Sequence, residues 1–158
     1  MAIRLIVNSP AYIHQKMKKN LETTTKKFTL EELLVAHAKV KTGADFPKYI
    51  KEIKLLGLVT YEYMVEDGSV TYLGHNGYQV KSRAKYTPLK ISKAANADLL
   101  KYTITIHQQG KTDFKTFCNA AAEAGVEKWI IDTQNMFCNY VDLEGNLMVA
   151  EPIPADEY

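Results

Sequence analysis

Two cysteines and four histidines are the side chains here that could act as nucleophiles, bases or metal ligands. Cys118 follows Phe117 by one residue and Phe114 by four, which is the spacing of an apolar helix face. A free cysteine on such a face behaves as a small hydrophobic residue. We therefore predict that Cys118 is buried and unreactive. A nucleophilic Cys118, or a redox pair with Cys138, remains the alternative interpretation.

No metal-ligand spacing such as His-x3-His occurs among the four histidines, His14, His37, His75 and His107. His37 and His107 fall near the end of the first predicted helix in each half of the chain, where a helix-terminal or core-edge imidazole accounts for them. The run Gly110-Lys111-Thr112 resembles the end of a phosphate-binding loop, but no glycine stands five residues earlier. We predict no metal site, no cofactor and no catalytic residue, and we favour a non-enzymatic role.

Ten tyrosines are the composition excess that bears on function. Five aromatic residues fall on predicted strands and are the candidate ligand-binding set: Tyr61, Tyr63, Tyr72, Trp129 and Tyr140. If their sheet face is open, bases or a small aromatic ligand could stack on it. If helices cover the face, these rings form the core, and we favour that interpretation because helices must bury their apolar stripes on some sheet face.

The positions of these aromatic residues repeat after 68 residues without a gap from residue 45 to residue 77. The matched pairs are Asp45 and Asp113, Phe46 and Phe114, Tyr49 and Phe117, Gly57 and Gly125, Tyr61 and Trp129, Tyr72 and Tyr140, and Gly77 and Gly145. The pattern predicts an internal duplication. Each copy is expected to contain two helices followed by three strands.

The first copy carries clear start and stop signals. Thr29 and Glu32 have the form of a capping box for a helix that ends near Gly43. Asp45 is expected to cap a second helix that ends at Gly57. Strands are predicted over residues 58–65 and 78–82, with a further strand between them that contains Val70 and Tyr72. Asp67-Gly68 and Asn76-Gly77 should be two-residue hairpin turns, so that Val65 faces Val70 and Tyr63 faces Tyr72.

The second copy begins near Asn96, a good N-cap. Residues 102–106 alternate and favour a strand by local propensity, but the repeat requires a helix, and we predict the helix. Gly110 should end it. Asp113 should cap the next helix, with Phe114 and Phe117 on its core face. Strands are predicted over 126–133, 137–142 and 146–151, and residues 89–92 could add to a sheet edge.

The chain has 158 residues and a net charge of +2, which suits a single globular domain. We divide it into an N-terminal extension, 1–28, and one domain, 29–158, made of repeats at about 29–82 and 96–151. No apolar run is long enough to span a bilayer. Two cysteines make no disulfide framework, so a cytoplasmic location is expected. Residues 156 and 157 should be frayed.

Charge is unevenly distributed along the chain. Residues 1–90 carry 15 Lys or Arg and 8 Asp or Glu, whereas residues 91–158 carry 5 and 10. A basic half can attract nucleic acid or a membrane, but single scattered lysines are more typical of solvated helix faces. Residues 1–28 are expected to form a short surface helix, with a basic arm that orders on a partner as the alternative.

Four long runs carry a resemblance to a known family: AHAKVKTGADFPKYIKEIKLLG, TYEYMVEDGSVTY, HQQGKTDFKTFC and GVEKWIIDTQNMFCNYVDLEGN. Over about residues 33–154 the chain resembles the YbcV-like, DUF1398-type family of unknown function, whose members are often labelled phage envelope proteins. The resemblance implies at most a prophage or mobile-element setting. It supplies no catalytic residues. The first 28 residues depart from the family's usual start.

Together these features predict an α+β fold, a duplicated helix–helix–meander unit with helices packed on antiparallel sheet. The leading function is a non-enzymatic binding or accessory protein for a protein partner or a small ligand, and a homo-oligomer is compatible with it. A nucleic-acid-binding module using the basic half is the alternative. An enzyme that uses Cys118 or His107 comes third.

Overall fold

A computed structural model describes residues 27–155, and it contains two successive units with the same order of elements. The first unit has helices α1 (Leu30–Ala38) and α2 (Phe46–Leu55), then strands β1 (Leu58–Met64), β2 (Val70–Gly74) and β3 (Gln79–Lys81). The second has α3 (Ala97–Gln108) and α4 (Phe114–Glu123), then β4 (Val126–Asp132), β5 (Phe137–Asp142) and β6 (Leu147–Pro152). The predicted α+β class is confirmed.

The six strands form one antiparallel sheet in the order β3-β2-β1-β4-β5-β6, so the two units meet at its centre. There Tyr61 pairs with Ile131, Glu62 with Ile130 and Tyr63 with Trp129. If each residue is replaced by its equivalent 68 positions away, the pair of Tyr61 and Ile131 becomes the pair of Trp129 and Tyr63, which is also observed. Exchanging the two units therefore leaves the register unchanged. The pairing is therefore compatible with a two-fold relation between the units, and the duplication stays a prediction.

The helices pack as two pairs. In the first pair α1 contacts α2 and α2 contacts β1, whereas in the second α3 contacts α4, α4 contacts β4 and α3 contacts β6. Each pair thereby buries its apolar stripe on the sheet. The largest fully buried side chains include Leu33, Ile50 and Ile53 of the first unit, and Leu100 and Ile131 of the second.

Helix α3 forms where local propensity favours a strand. Leu100, Thr103 and Ile104 are buried at helical spacing, so packing outweighs the strand preference of residues 102–106. The Asn96 side chain accepts a hydrogen bond from the Leu99 amide at 3.0 Å, as predicted for an N-cap. Gly110 follows the helix with φ of +73° and ends it.

The capping predictions have different outcomes. Thr29 and Glu32 form the expected capping box. The Asp113 carboxylate accepts a hydrogen bond of 2.7 Å from the Thr116 amide, as expected of an N-cap. The prediction for Asp45 is wrong, because its carboxylate accepts from the amides of Lys41 and Thr42 at 2.9 and 3.0 Å. Asp45 lies in a helical conformation at the end of a 3-10 turn (Gly43–Asp45), and a helical side chain points back toward the preceding turn. This competing cap also leaves α1 shorter than expected.

The predictions for the two hairpin turns also have different outcomes. Asn76 and Gly77 both have positive φ, as predicted. The predicted two-residue turn at Asp67-Gly68 is wrong, because Met64 bonds to Ser69 and four residues lie between them. Asp67 holds this longer turn by accepting from the Ser69 amide and hydroxyl at 2.9 and 2.7 Å.

The longer turn shifts the strand register. Tyr63 faces Val70, and Tyr61 faces Tyr72, so the predicted pairs of Val65 with Val70 and of Tyr63 with Tyr72 are wrong. Val65 instead donates from its amide to the Glu127 carbonyl at 3.0 Å, beside β4. That bond keeps it out of the β1–β2 ladder.

The connection between the units passes from the β1–β2 turn to α4 without forming a strand at residues 89–92. Leu89 donates from its amide to Glu66, and Ser92 donates to Ala122. Phe28, the last residue of the predicted extension, is fully buried, and its carbonyl accepts a hydrogen bond from the Tyr78 hydroxyl at 2.6 Å. The predictions for residues 1–26 and 156–157 lie outside the described residues.

None of the helices within residues 27–155 has the length and apolar character needed to cross a membrane.

Candidate functional site

A cavity of about 610 Å³ lies between the inner face of the sheet and the two helix pairs. Eight pairs of its lining residues are 68 positions apart: Val40 and Gln108, Phe46 and Phe114, Tyr49 and Phe117, Tyr61 and Trp129, Tyr63 and Ile131, Val70 and Cys138, Tyr72 and Tyr140, and Lys85 and Ile153. Equivalent positions of both units therefore contribute to it. The cavity lies at the centre of the molecule, over the junction of β1 and β4.

All five aromatic residues of the candidate set line this cavity. The rings of Tyr63 and Trp129 stack with centroids 4.2 Å apart and planes at 3°. The ring centroids of Tyr61 and Tyr72 are 5.7 Å apart, and those of Trp129 and Tyr140 are 6.0 Å apart. Helices cover the face, so it is no open stacking platform, yet the helices do not fill the space above it. The rings belong to the core and also form the floor of a cavity.

Two exposed apolar side chains lie at the mouth of the cavity. Phe114 was expected on the core face of α4, but its side chain is 49% exposed. As the first residue of α4 it contacts the sheet on one side only, edge-on to Tyr63 at 5.6 Å and to Trp129 at 6.1 Å. Leu34 of α1 is also exposed and lines the cavity. Sequence pattern does not distinguish such rim positions from core positions, because both lie on the apolar stripe.

The phenols of the cavity are held in their neutral form. Burial raises the pKa of Tyr49, Tyr61, Tyr63 and Tyr140 well above the usual range, and it also raises the pKa of Tyr72. At neutral pH these groups act as hydrogen-bond donors, not as bases or nucleophiles. The cavity is therefore aromatic, with several hydroxyl groups able to bind acceptor atoms.

Three titratable groups on the cavity wall determine its charge, and of these only His37 was a candidate from the sequence. Lys85 has its ammonium 5.2 Å from the ring centroid of Tyr63, and burial lowers its pKa. Burial, and then the charge of Lys85, lowers the pKa of His37. Glu151 accepts a short hydrogen bond from Gln108 Nε2 and one of 3.5 Å from Tyr140, and burial raises its pKa. Lys85 lies in the connection, outside any periodic pattern, so the sequence offered no signal for it.

Both cysteines are buried free thiols, as predicted for Cys118. Burial raises the pKa of Cys118, whose Sγ lies 3.8 Å from the Tyr63 hydroxyl. Cys118 also lines a second pocket of about 320 Å³ with Tyr86 and Lys115. Burial raises the pKa of Cys138 to about 12.

Of the remaining candidate residues, His107 lines the cavity, whereas His75, Lys111 and Thr112 do not. The Nδ1 atom of His107 lies 3.0 Å from Thr112 Oγ1, and its ring stacks on Phe117. Thr112 therefore contacts the last turn of α3 and does not belong to a phosphate-binding loop. His75 lies at the β2–β3 turn, and His14 is outside the described residues. Within residues 27–155 no group of three or more His, Cys, Asp or Glu is placed to hold a metal ion.

Two comparisons with known proteins bear on this site. A family model described as a protein of unknown function (DUF1398) matches residues 35–152. The chain is also similar to the uncharacterized protein YcgX of Escherichia coli (strain K12), with 24% identity over 114 residues, which cover 72% of this chain and 85% of the relative. The region that the family model matches includes every strand of the sheet and most of the residues that line the cavity.

Proposed function

This chain belongs to the DUF1398 family of unknown function, and we propose that it binds a small, flat, largely apolar molecule in the central cavity without transforming it. The observation that carries the proposal is the cavity itself. Its volume of about 610 Å³ falls in the usual range for ligand pockets, which are mostly apolar with a few polar groups. An unfilled aromatic cavity forfeits dispersion contacts, and a bound ligand would restore them.

The protonation states favour binding over catalysis. Burial raises the pKa of both thiols and of the cavity phenols, so none of these groups is a ready nucleophile. The Nδ1 atom of His107 is engaged by Thr112. The enzyme alternative with Cys118 or His107 therefore has less support than a binding role.

The other functional predictions concern surfaces outside the cavity. A nucleic-acid-binding module would depend on the basic first half of the chain, and salt-dependent retention on a nucleic-acid column would support it. A protein partner or a second copy of the chain, a cytoplasmic location and a prophage setting likewise stay predictions. None of them requires the cavity.

Trp129 is the only tryptophan of the chain and lines the cavity, so its fluorescence tests the proposal directly. We expect the neutral dye N-phenyl-1-naphthylamine to quench Trp129 by energy transfer, with saturable one-site binding. The Val70→Phe substitution would place a phenyl ring in the cavity and should weaken binding about tenfold or more. Leu99→Phe is the matched control, because Leu99 is exposed on α3 and lies outside the lining.

Two outcomes would contradict the proposal. One is dye that leaves Trp129 fluorescence unchanged. The other is a folded Val70→Phe protein that binds the dye as tightly as the Leu99→Phe control.

A further inference from the structure

We propose that the ligand is an organic anion, whose charged group lies at the cavity mouth beside Lys85 and His37 while its flat apolar body contacts the aromatic floor. This inference rests on the proposed function and specifies the chemical class of its ligand.

The first observation is the position of Lys85. Its ammonium lies over one face of the Tyr63 ring, 5.2 Å from the centroid, while Trp129 is stacked beside that ring. The ammonium is thus at the edge of the aromatic floor. Among residues 27–155 no carboxylate lies within 4 Å of it. A ligand anion would supply a direct partner, since a nearby opposite charge stabilises an ammonium.

The second observation is the placement of His37. It lines the same cavity from α1, with its ring 5.4 Å from that of Tyr49. The charge of Lys85 contributes to lowering the pKa of His37, so the two basic groups are close enough to repel one another when both are protonated. An anion bound between them would be attracted to both groups and would offset their mutual repulsion.

The nearby carboxylates are committed elsewhere. Glu151 lines the cavity but accepts hydrogen bonds from Gln108 and Tyr140, and burial favours its protonated form. Asp67 is the acidic group whose charge acts on Lys85, and its carboxylate is bound by the amide and hydroxyl of Ser69. Asp67 thus attracts Lys85 without forming an ion pair within 4 Å, so the ammonium can still bind a ligand anion. The phenols of Tyr49 and Tyr61 add neutral donors that favour an acceptor-bearing ligand.

Two probes of the same shape separate charge from fit. Naphthalene-2-sulfonate is anionic, and naphthalene-2-sulfonamide is its neutral counterpart. We expect calorimetry on the full chain to show the sulfonate binding about tenfold more tightly at low salt. Lys85→Gln should abolish this preference while leaving sulfonamide binding unchanged, which also shows that the variant is folded. Lys90→Gln is the matched control, because Lys90 is an exposed lysine of the same connection and does not line the cavity.

The pH dependence provides a second readout. The sulfonate stays charged throughout the acidic range, whereas His37 gains a proton as the pH falls through its lowered pKa. Sulfonate affinity should therefore rise on acidification, and His37→Gln should remove this rise. Glu151 also titrates in the acidic range and faces the cavity, so its protonation acts in the same direction. A third titratable residue, His107, also lines the cavity. A rise that survives in His37→Gln would therefore assign the effect to another group of the lining and overturn the role of His37.

The outcomes distinguish this inference from the function on which it rests. Equal binding of the two probes, or a preference that persists in Lys85→Gln, would overturn the anion inference and leave the cavity as a binding site. If neither probe binds, the proposed function fails, and this inference fails with it.

Discussion

The thiol of Cys118 is 1% exposed, and its environment raises its pKa, so its chemistry is determined by burial. We expect Cys118→Ser to destabilise the fold by about 1–3 kcal/mol, since a buried hydroxyl is more costly to desolvate than a thiol. Denaturant unfolding measures this change. In the native state Cys118 should react with a thiol reagent only as fast as the protein opens. Rapid stoichiometric labelling would contradict the prediction.

The buried phenols predict a loss of stability at alkaline pH. Burial raises the pKa of Tyr49, Tyr61, Tyr63 and Tyr140 in the folded state above the value of about 10 expected in the unfolded chain. Their contribution to stability is fully present below pH 10. Above that pH the unfolded state loses these protons while the folded state keeps them. The free energy of unfolding therefore falls by about 1.4 kcal/mol per pH unit for each tyrosine that stays protonated in the folded state.

Absorbance of phenolate measures this titration. A subset of tyrosines should ionise only in step with unfolding, as followed by circular dichroism. Ionisation of all ten tyrosines in a protein that remains folded would contradict the assignment of buried phenols.

At the scale of elements, two glycines end helices as their spacing predicted. Gly57 and Gly125 have φ of +103° and +88° after α2 and α4. A Cβ on Gly125 would lie 2.9 Å from the Cα of Ala95 and 3.1 Å from the carbonyl oxygen of Ser92. A Cβ on Gly110, which also has positive φ, would meet nothing within 4 Å.

We therefore expect Gly110→Ala to cost about 1 kcal/mol from left-handed strain alone, and Gly57→Ala should cost at least about as much because its φ is also positive. Gly125→Ala should cost more, because steric overlap with backbone atoms is added. Thermal and denaturant unfolding of the variants measure the difference. Equal costs for Gly110→Ala and Gly125→Ala would show that the approach of residues 92–95 to α4 is not as close as described.

Local signals predicted the elements better than the contacts between them. Helices α2 and α4 and the glycine stops followed from periodicity and capping signals. Helix α3 followed only from the repeat, against the local preference of residues 102–106 for a strand. The Asp67-Gly68 turn did not, because the Asp67 side chain stabilises a longer loop through Ser69. Asp45 has the residue type of an N-cap but a helical backbone. The cavity was also not predicted, since the same five aromatic residues would have filled a closed core had the helix pairs packed closer together.

At the scale of the whole molecule, the two units depend on each other. β1 and β4 lie at the centre of the sheet only because the units are joined. A fragment of residues 27–95 would expose β1 as an unpaired edge and would have a small core. We expect it not to show a cooperative thermal transition. A cooperative transition in the monomeric fragment would contradict this dependence.

The proposed duplication makes a geometric prediction. Superposition of residues 45–77 on 113–145 should match the helix and hairpin in order and handedness, with Tyr61 over Trp129 and Tyr72 over Tyr140. The register of β1 and β4 supports this expectation. A mismatch in handedness would reduce the repeat to a coincidence of composition.

The central claim is that the cavity over Trp129 holds a ligand. A crystal structure of the protein soaked with 2-bromonaphthalene tests it most directly, because the anomalous signal of bromine locates the molecule independently of the protein atoms. We predict a bromine peak between the helix pairs, with the naphthalene against Trp129 and Tyr61. A structure in which side chains fill that space, with bromine bound only at the surface or not at all, would contradict the claim.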